Sequence, residues 1–147
     1  MTDLGEVNNR KILYIRHELG SAWYNDFPKS NWLLLAISDT RRAAVFEEIA
    51  RQAINSNVVC VCAVGQEAEF FYDSFEDTML MREVELEFLP AHTISTTWQE
   101  NLEECFLFAV NSAISEQVVV EKIICLDISQ SGVKEKLIKL VEENQSS

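Results

Sequence analysis

Three short apolar runs constrain the fold more than any other feature of this chain: Trp32–Ile37 (WLLLAI), Val58–Val64 (VVCVCAV) and Ile123–Ile128 (IICLDI). Runs of this length, with no regular polar alternation, suit strands buried on both faces, the pattern of a parallel sheet covered by helices. The segments between them repeat every three or four residues instead. Val45, Phe46, Ile49 and Ala53 on one side, with Glu47, Glu48, Arg51 and Gln52 on the other, predict a helix that Asp39 or Thr40 can cap. Gln66 to about Met81 reads as a second helix, with Ala68, Phe71, Phe75 and Met79 inward. T-W-Q-E at Thr97–Glu100 has the form of a capping box and opens a third, striped by Leu102, Cys105, Phe106, Ala109, Val110 and Ala113. Val133–Glu143 is the closing helix, with Leu137, Ile138 and Val141 inward.

Lys11–Arg16 (KILYIR) reads as a further strand, and His92–Ser95 as a short one. Glu83–Leu89 (EVELEFL) alternates with period two, which predicts a strand with Val84, Leu86 and Phe88 in the core and Glu83, Glu85 and Glu87 in solvent. Strands alternating with helices predict an α/β protein: a single three-layer domain over residues 1–147, mostly parallel, Rossmann-like or flavodoxin-like in layout. Glu83–Leu89 is expected as its edge or antiparallel strand, and residues 1–9 and 144–147 as disordered ends.

With 147 residues and 48% hydrophobic content, the chain has apolar surface enough for a core, which acidic disordered tails lack. Its apolar runs fall far short of the roughly 20 residues that cross a bilayer, and the N-terminus is polar, so a cytoplasmic protein is expected. Cys60, Cys62, Cys105 and Cys125 form no C-x-x-C pair, and His17 and His92 stand apart. Buried free thiols are therefore expected, with neither a metal nor a cofactor.

Charge is unevenly placed. Twelve of the 24 acidic residues fall between Gln66 and Glu116, where Arg82 is the lone formal cation, while the rest of the chain is nearly neutral. Such an asymmetry points to a basic protein partner and away from direct binding of nucleic acid, which requires cations to neutralise phosphates. Glu69, Asp73, Glu76 and Asp77 recur at three and four residue spacing, so the helix that carries them holds like charges as neighbours. With Glu83, Glu85, Glu87, Glu100, Glu103 and Glu104, and with Tyr72 and Trp98 as aromatic anchors, they form the expected docking face.

A second candidate lies where the predicted strands end, because open α/β sheets bind ligands beyond the carboxyl ends of their strands. Ser38, Thr40, Arg41, Arg42 and Gly65 are placed there as a candidate anion-binding set, although the turn A-I-S-D-T-R-R has no glycine-rich phosphate loop. No nucleophile elbow or catalytic constellation appears. The expected function is a non-enzymatic, acidic binding protein that neutralises a cationic partner, as bacterial immunity proteins and antitoxins neutralise toxins such as nucleases. The alternative is a small Rossmann-like enzyme or nucleotide sensor that uses the strand-end set.

Overall fold

The computed structural model describes residues 1–145. In chain order they form β1 (Thr2–Val7), β2 (Arg10–Arg16), β3 (Trp32–Ile37), α1 (Ala43–Asn55), β4 (Cys60–Val64), α2 (Ala68–Val84), β5 (Ser95–Gln99), α3 (Leu102–Leu107), β6 (Lys122–Asp127) and α4 (Lys134–Asn144). The six strands make one sheet in the order β1-β2-β6-β3-β4-β5. Only β1 runs antiparallel to its neighbour; every other pairing is parallel.

The apolar runs explain the centre of this sheet. All six residues of β3 are buried, and so are all five of β4, because each strand lies between two others and is covered on both faces. Successive side chains alternate between two cores. Leu34, Ala36, Val61, Ala63, Ile124 and Leu126 meet Phe46, Ile49 and Ala53 of α1 and Phe71 and Phe75 of α2. Leu33, Leu35, Cys60, Cys62, Ile123 and Cys125 meet Cys105 and Phe106 of α3 and Leu137 and Val141 of α4 on the opposite face. The protein is thus an α/β fold with helices on both sides of a mostly parallel sheet. From β3 to β5 the chain winds outward with α1 and α2 on one face; it then returns by way of α3, on the other, to insert β6 between β2 and β3.

Four expectations are corrected. Residues 1–9 are an ordered edge hairpin, not a disordered end: Asn8 and Asn9 both take positive φ, 51° and 63°, and make the two-residue turn that pairs Val7 with Arg10. At the other end Asn144 closes α4, while residues 146–147 lie outside the described residues. Glu83–Leu89 is not a strand. Helix-forming Met79, Leu80, Met81 and Arg82 carry α2 through Val84, and Glu83–Glu87 then turn back, so the antiparallel edge strand is β1 instead.

The fourth correction concerns Thr97–Glu100. β-Branched Thr96 and Thr97 with Trp98 pair with β4 as the parallel edge strand β5, which displaces the short strand expected at His92–Ser95. The cap of α3 is Asn101, whose side chain accepts from the Glu104 N–H, so Thr97 does not open the helix. α3 passes into a wide turn at Phe108–Ser112, whose carbonyls receive bonds from the hairpin tip: Arg10 to Ala109 and Asn8 to Val110.

Candidate functional site

At the carboxyl ends of the central strands, Arg16, Asp127 and Ile37 stand side by side in β2, β6 and β3. Asp127 is fully buried. Its Oδ2 accepts from the Tyr14 hydroxyl at 2.6 Å and the Val133 N–H at 2.8 Å, and its Oδ1 accepts from the N–H and hydroxyl of Ser129. Burial alone would raise this carboxyl, but the bonds from Ser129, Tyr14 and the Val133 backbone outweigh it and hold its pKa below the usual carboxylate value. Burial, followed by the bond to Asp127, pushes the Tyr14 phenol up. Arg16 Nη1 sits 3.1 Å from Asp127 Oδ1 as a charge contact outside hydrogen-bond alignment, while Nη2 donates to the Gln130 carbonyl. The carboxylate ties β2, β6 and the start of α4 together, which gives it a positioning role.

Among the residues proposed to hold an anion, Arg41 and Thr40 have their side chains engaged within the chain. Arg41 Nε donates to Glu67 at 3.0 Å, and its guanidinium lies over the Phe70 ring. Gly65, at φ 112°, lets the turn after β4 close so tightly that a Cβ there would lie 2.1 Å from the Ser38 carbonyl oxygen. Thr40 donates to Asp39, which also accepts from the Gln130 N–H. The N-cap position of α1 is held by Arg42 and not by Asp39 or Thr40, and Arg42 makes no ion pair among the described residues. The buried His17 Nδ1 and Ser38 Oγ have no hydrogen-bond partner there either.

The outer end of α2 is organised differently. Leu80 (58% exposed), Val84 (68%) and Leu86 (92%) stand in solvent with Met81 and Phe88. Val84, Leu86 and Phe88 are therefore surface residues and not the core expected of them. The helix stops in a Schellman turn, with Glu87 N–H bonded to the Arg82 carbonyl and Leu86 N–H to that of Glu83. The left-handed residue of that turn is Leu86, at φ 56°, where glycine is the usual occupant. Glu83, Glu85 and Glu87 are exposed among these apolar side chains. Hydrogen bonding with Glu87, then the charge of Glu87, raises the Glu85 pKa.

Arg82, the one cation of the acidic segment, does not neutralise this face. It is buried, and its guanidinium donates to Asn55 Oδ1 and to the Phe88 carbonyl. Grooves flank the helix end on both sides. One, of about 420 Å³, runs between α1 and α2 past Asp77, Met81, Glu85 and Glu87; the other, of about 430 Å³, passes Glu76, Leu80, Glu83 and Leu89.

The remaining docking candidates fall into separate places. Glu76 accepts from the Thr96 hydroxyl, which fixes α2 to the β5 edge, and Trp98 shares that face of the sheet by alternation. Trp98 is 37% exposed and Tyr72 is half-buried. Glu69 and Asp73 border a hollow with Arg41 and Phe70 near the start of α2. Glu100 precedes α3, and Glu103 and Glu104 lie in its first turn; α3 packs on the opposite face, so these three acids do not join the α2 surface.

A family model described as "Domain of unknown function (DUF7684)" matches residues 12–144. The chain belongs to this family. No curated protein matches it. A solved structure titled "Crystal Structure of rRNA methyltransferase from Sinorhizobium meliloti" is similar at 15% identity and a TM-score of 0.42, covering 80% of this chain and 48% of its own, so the DUF7684 chain spans about half its length.

The apolar members of the α2 surface were missed because the alternation of Glu83–Leu89 fits a strand better than a helix. The signal that separates them lies upstream: Phe71 and Phe75 mark one face of the helix, while Leu80, Met81 and Val84 fall on others, so the helix of this DUF7684 chain is apolar on more than one side. Asp127 and Tyr14 lie 113 residues apart, and sequence spacing carries no sign of their contact.

Proposed function

We propose that this protein is a non-enzymatic binding module that docks a cationic protein partner against the outer end of α2. The observation that carries the reading is the mixture on that surface: Leu80, Met81, Val84, Leu86 and Phe88 exposed among Glu83, Glu85 and Glu87, with Arg82 turned inward. Exposed apolar patches rimmed by charge are the common anatomy of docking sites. The acids would speed encounter with a basic partner, and the apolar side chains would slow its release. Immunity or antitoxin action is the form this binding takes in our reading, with the face occluding a basic toxin such as a nuclease. A Rossmann-like scaffold supports the face, and a cytoplasmic setting accords with four free, buried cysteines.

The test is affinity capture from the native host at low and high salt, comparing wild type with a Glu83→Lys, Glu85→Lys, Glu87→Lys variant. All three side chains are exposed, so circular dichroism should show an unchanged fold. The expected result is a basic protein retained by the wild type at low salt, released at high salt and missing from the variant. Capture of the same proteins by both would remove the reading.

A further inference from the structure

The structure assigns a second binding site: we propose that the N-terminus of α1 holds a phosphate-type oxyanion between the N–H groups of Ala43, Ala44 and Val45, the Arg42 guanidinium, the Ser38 hydroxyl and the His17 imidazole. Three observations meet there. α1 is 13 residues long and begins with no side-chain cap, so its first N–H groups keep their donors and the positive end of the helix dipole. The residue in the cap position is Arg42, a cation where the dipole disfavours one, and it has no carboxylate partner among the described residues. His17, 8% exposed, and Ser38, 1% exposed, each bury a polar atom without a hydrogen-bond partner.

Strand alternation directs both buried groups to the α1 side. Leu13 and Ile15 of β2, and Leu34 and Ala36 of β3, pack in the core beneath α1, and His17 and Ser38 are the next residues of the same parity. Backbone bonds from His17 N–H to Asp127 and from Ser38 N–H to Val64 continue the ladders that far, so the parity holds. The His17 ring also packs against Trp23, a member of the same core. Buried polar groups are nearly always satisfied in native proteins, and these two, on the strands flanking β6, are left over on the face that α1 covers.

The place is one that open α/β sheets favour for ligands. β3 and β6 are neighbours, yet the chain leaves β3 for α1 on one face and β6 for α4 on the other, which makes their carboxyl ends the switch point of the sheet. The chemical class follows from the donors. Backbone N–H, guanidinium, hydroxyl and a protonated imidazole nitrogen all donate, so the complementary ligand is an acceptor with several oxygens and negative charge. Asp39, the carboxylate next to Ser38 in the chain, already accepts from Gln130 and Thr40. The turn has no glycine-rich loop to cradle a polyphosphate, so a single phosphate group is the fit, either the free ion or the end of a phosphate monoester.

The experiment is amide and imidazole NMR of the full chain during titration with inorganic phosphate, with adenosine monophosphate as a second probe and sodium chloride at matched ionic strength as the control. Saturable shifts at Ala43, Ala44, Val45 and His17 with phosphate or the monophosphate, and none with chloride, are the expected result. Tighter binding of the monophosphate would identify a phosphoester as the ligand; equal binding would identify the free ion. Arg42→Ala should weaken the affinity about tenfold or more, the contribution of one charge-assisted hydrogen bond, whereas Arg41→Ala, whose guanidinium is held by Glu67, should leave it unchanged. The same spectra report whether each variant is folded. Absence of saturable shifts with both probes overturns the site, and so do equal losses in the two arginine variants, which would reduce the effect to diffuse attraction.

Discussion

At the carboxyl ends of β2 and β6 a buried carboxylate finds its partners within the chain, whereas at the outer end of α2 a row of apolar side chains finds none. Asp127 accepts from Tyr14, Ser129 and Val133 and lies in charge contact with Arg16, and the three donors would be left wanting without it. Leu80, Met81, Val84, Leu86 and Phe88 stand in solvent next to glutamates that Arg82 does not neutralise. The two regions invert the ordinary arrangement of inside and outside. A buried charge that is fully partnered belongs to the fold, and an exposed apolar set that is unpartnered is what the proposed docking would cover. Substitutions in the first region should therefore change stability and spare docking, and those in the second should do the reverse.

The largest expected effect is at Asp127. Replacement by Ala removes one carboxylate and strands the Tyr14 hydroxyl and the Ser129 and Val133 N–H groups, a loss of about 1–3 kcal/mol for each buried donor left unsatisfied. Urea unfolding should show that loss in its midpoint. Binding of the captured partner, measured below the new midpoint, should keep its rate constants. A variant with near-normal stability would mean that water replaces the carboxylate, and the contrast between the two regions would weaken.

The residues of this contrast were unequally legible in sequence. β3, β4 and β6 could be read directly because strands buried on both faces carry few polar positions, in β6 only Lys122 and Asp127 at its two ends, to blur the apolar run. β1 and β5 could not, since edge strands are half-exposed: the cue for β1 was the Asn8–Asn9 turn, and T-T-W at the start of a capping box concealed β5. Acidic residues marked the proposed docking region by count, but the apolar half of that surface was hidden by an alternation that reads as a strand. Asp127 lay within a recognised strand, yet its role depends on a partner 113 residues distant. Local pattern gives elements, and only the fold gives neighbours.

The second effect is at Leu86, and it has opposite signs in the two measurements. An L-residue in the left-handed region costs roughly 1–2 kcal/mol, while glycine adds backbone freedom to the unfolded chain worth roughly 0.5–1 kcal/mol. Leu86→Gly should therefore stabilise the protein slightly, by about 0.5–1 kcal/mol in urea, because the side chain it removes is 92% exposed. Docking should weaken by about 2 kcal/mol if Leu86 is a central anchor, seen in surface plasmon resonance as faster dissociation. A gain in stability with unchanged dissociation would move the anchor to Val84 or Phe88.

The smallest effect is a pH dependence that belongs to the buried region. Burial, then the positive charges of Arg42 and Arg16, lowers the His17 pKa from its ordinary value, and the Trp23 ring covers one side of the imidazole. The unfolded chain therefore binds a proton at a pH where the native protein does not, so stability must rise with pH through this window. His17 contributes in full above about pH 6.5, its unfolded value, and the contribution is lost as pH falls from there toward the depressed native value. Asp127, whose pKa is lowered too, contributes the same sign but in a separate and more acidic window, below the ordinary carboxylate range. Unfolding midpoints measured in steps from pH 7.5 down to 5.5, for wild type and for His17→Asn, should separate the two. The wild type is expected to lose stability across the range and the variant to show a flatter profile, with docking at the outer end of α2 unaffected by His17→Asn at the upper end. Adding phosphate at pH 5.5 should recover part of the loss in the wild type alone, since an anion between Arg42 and His17 favours the protonated ring. An equal slope in both proteins would place the titrating group elsewhere and leave His17 a silent member of the core.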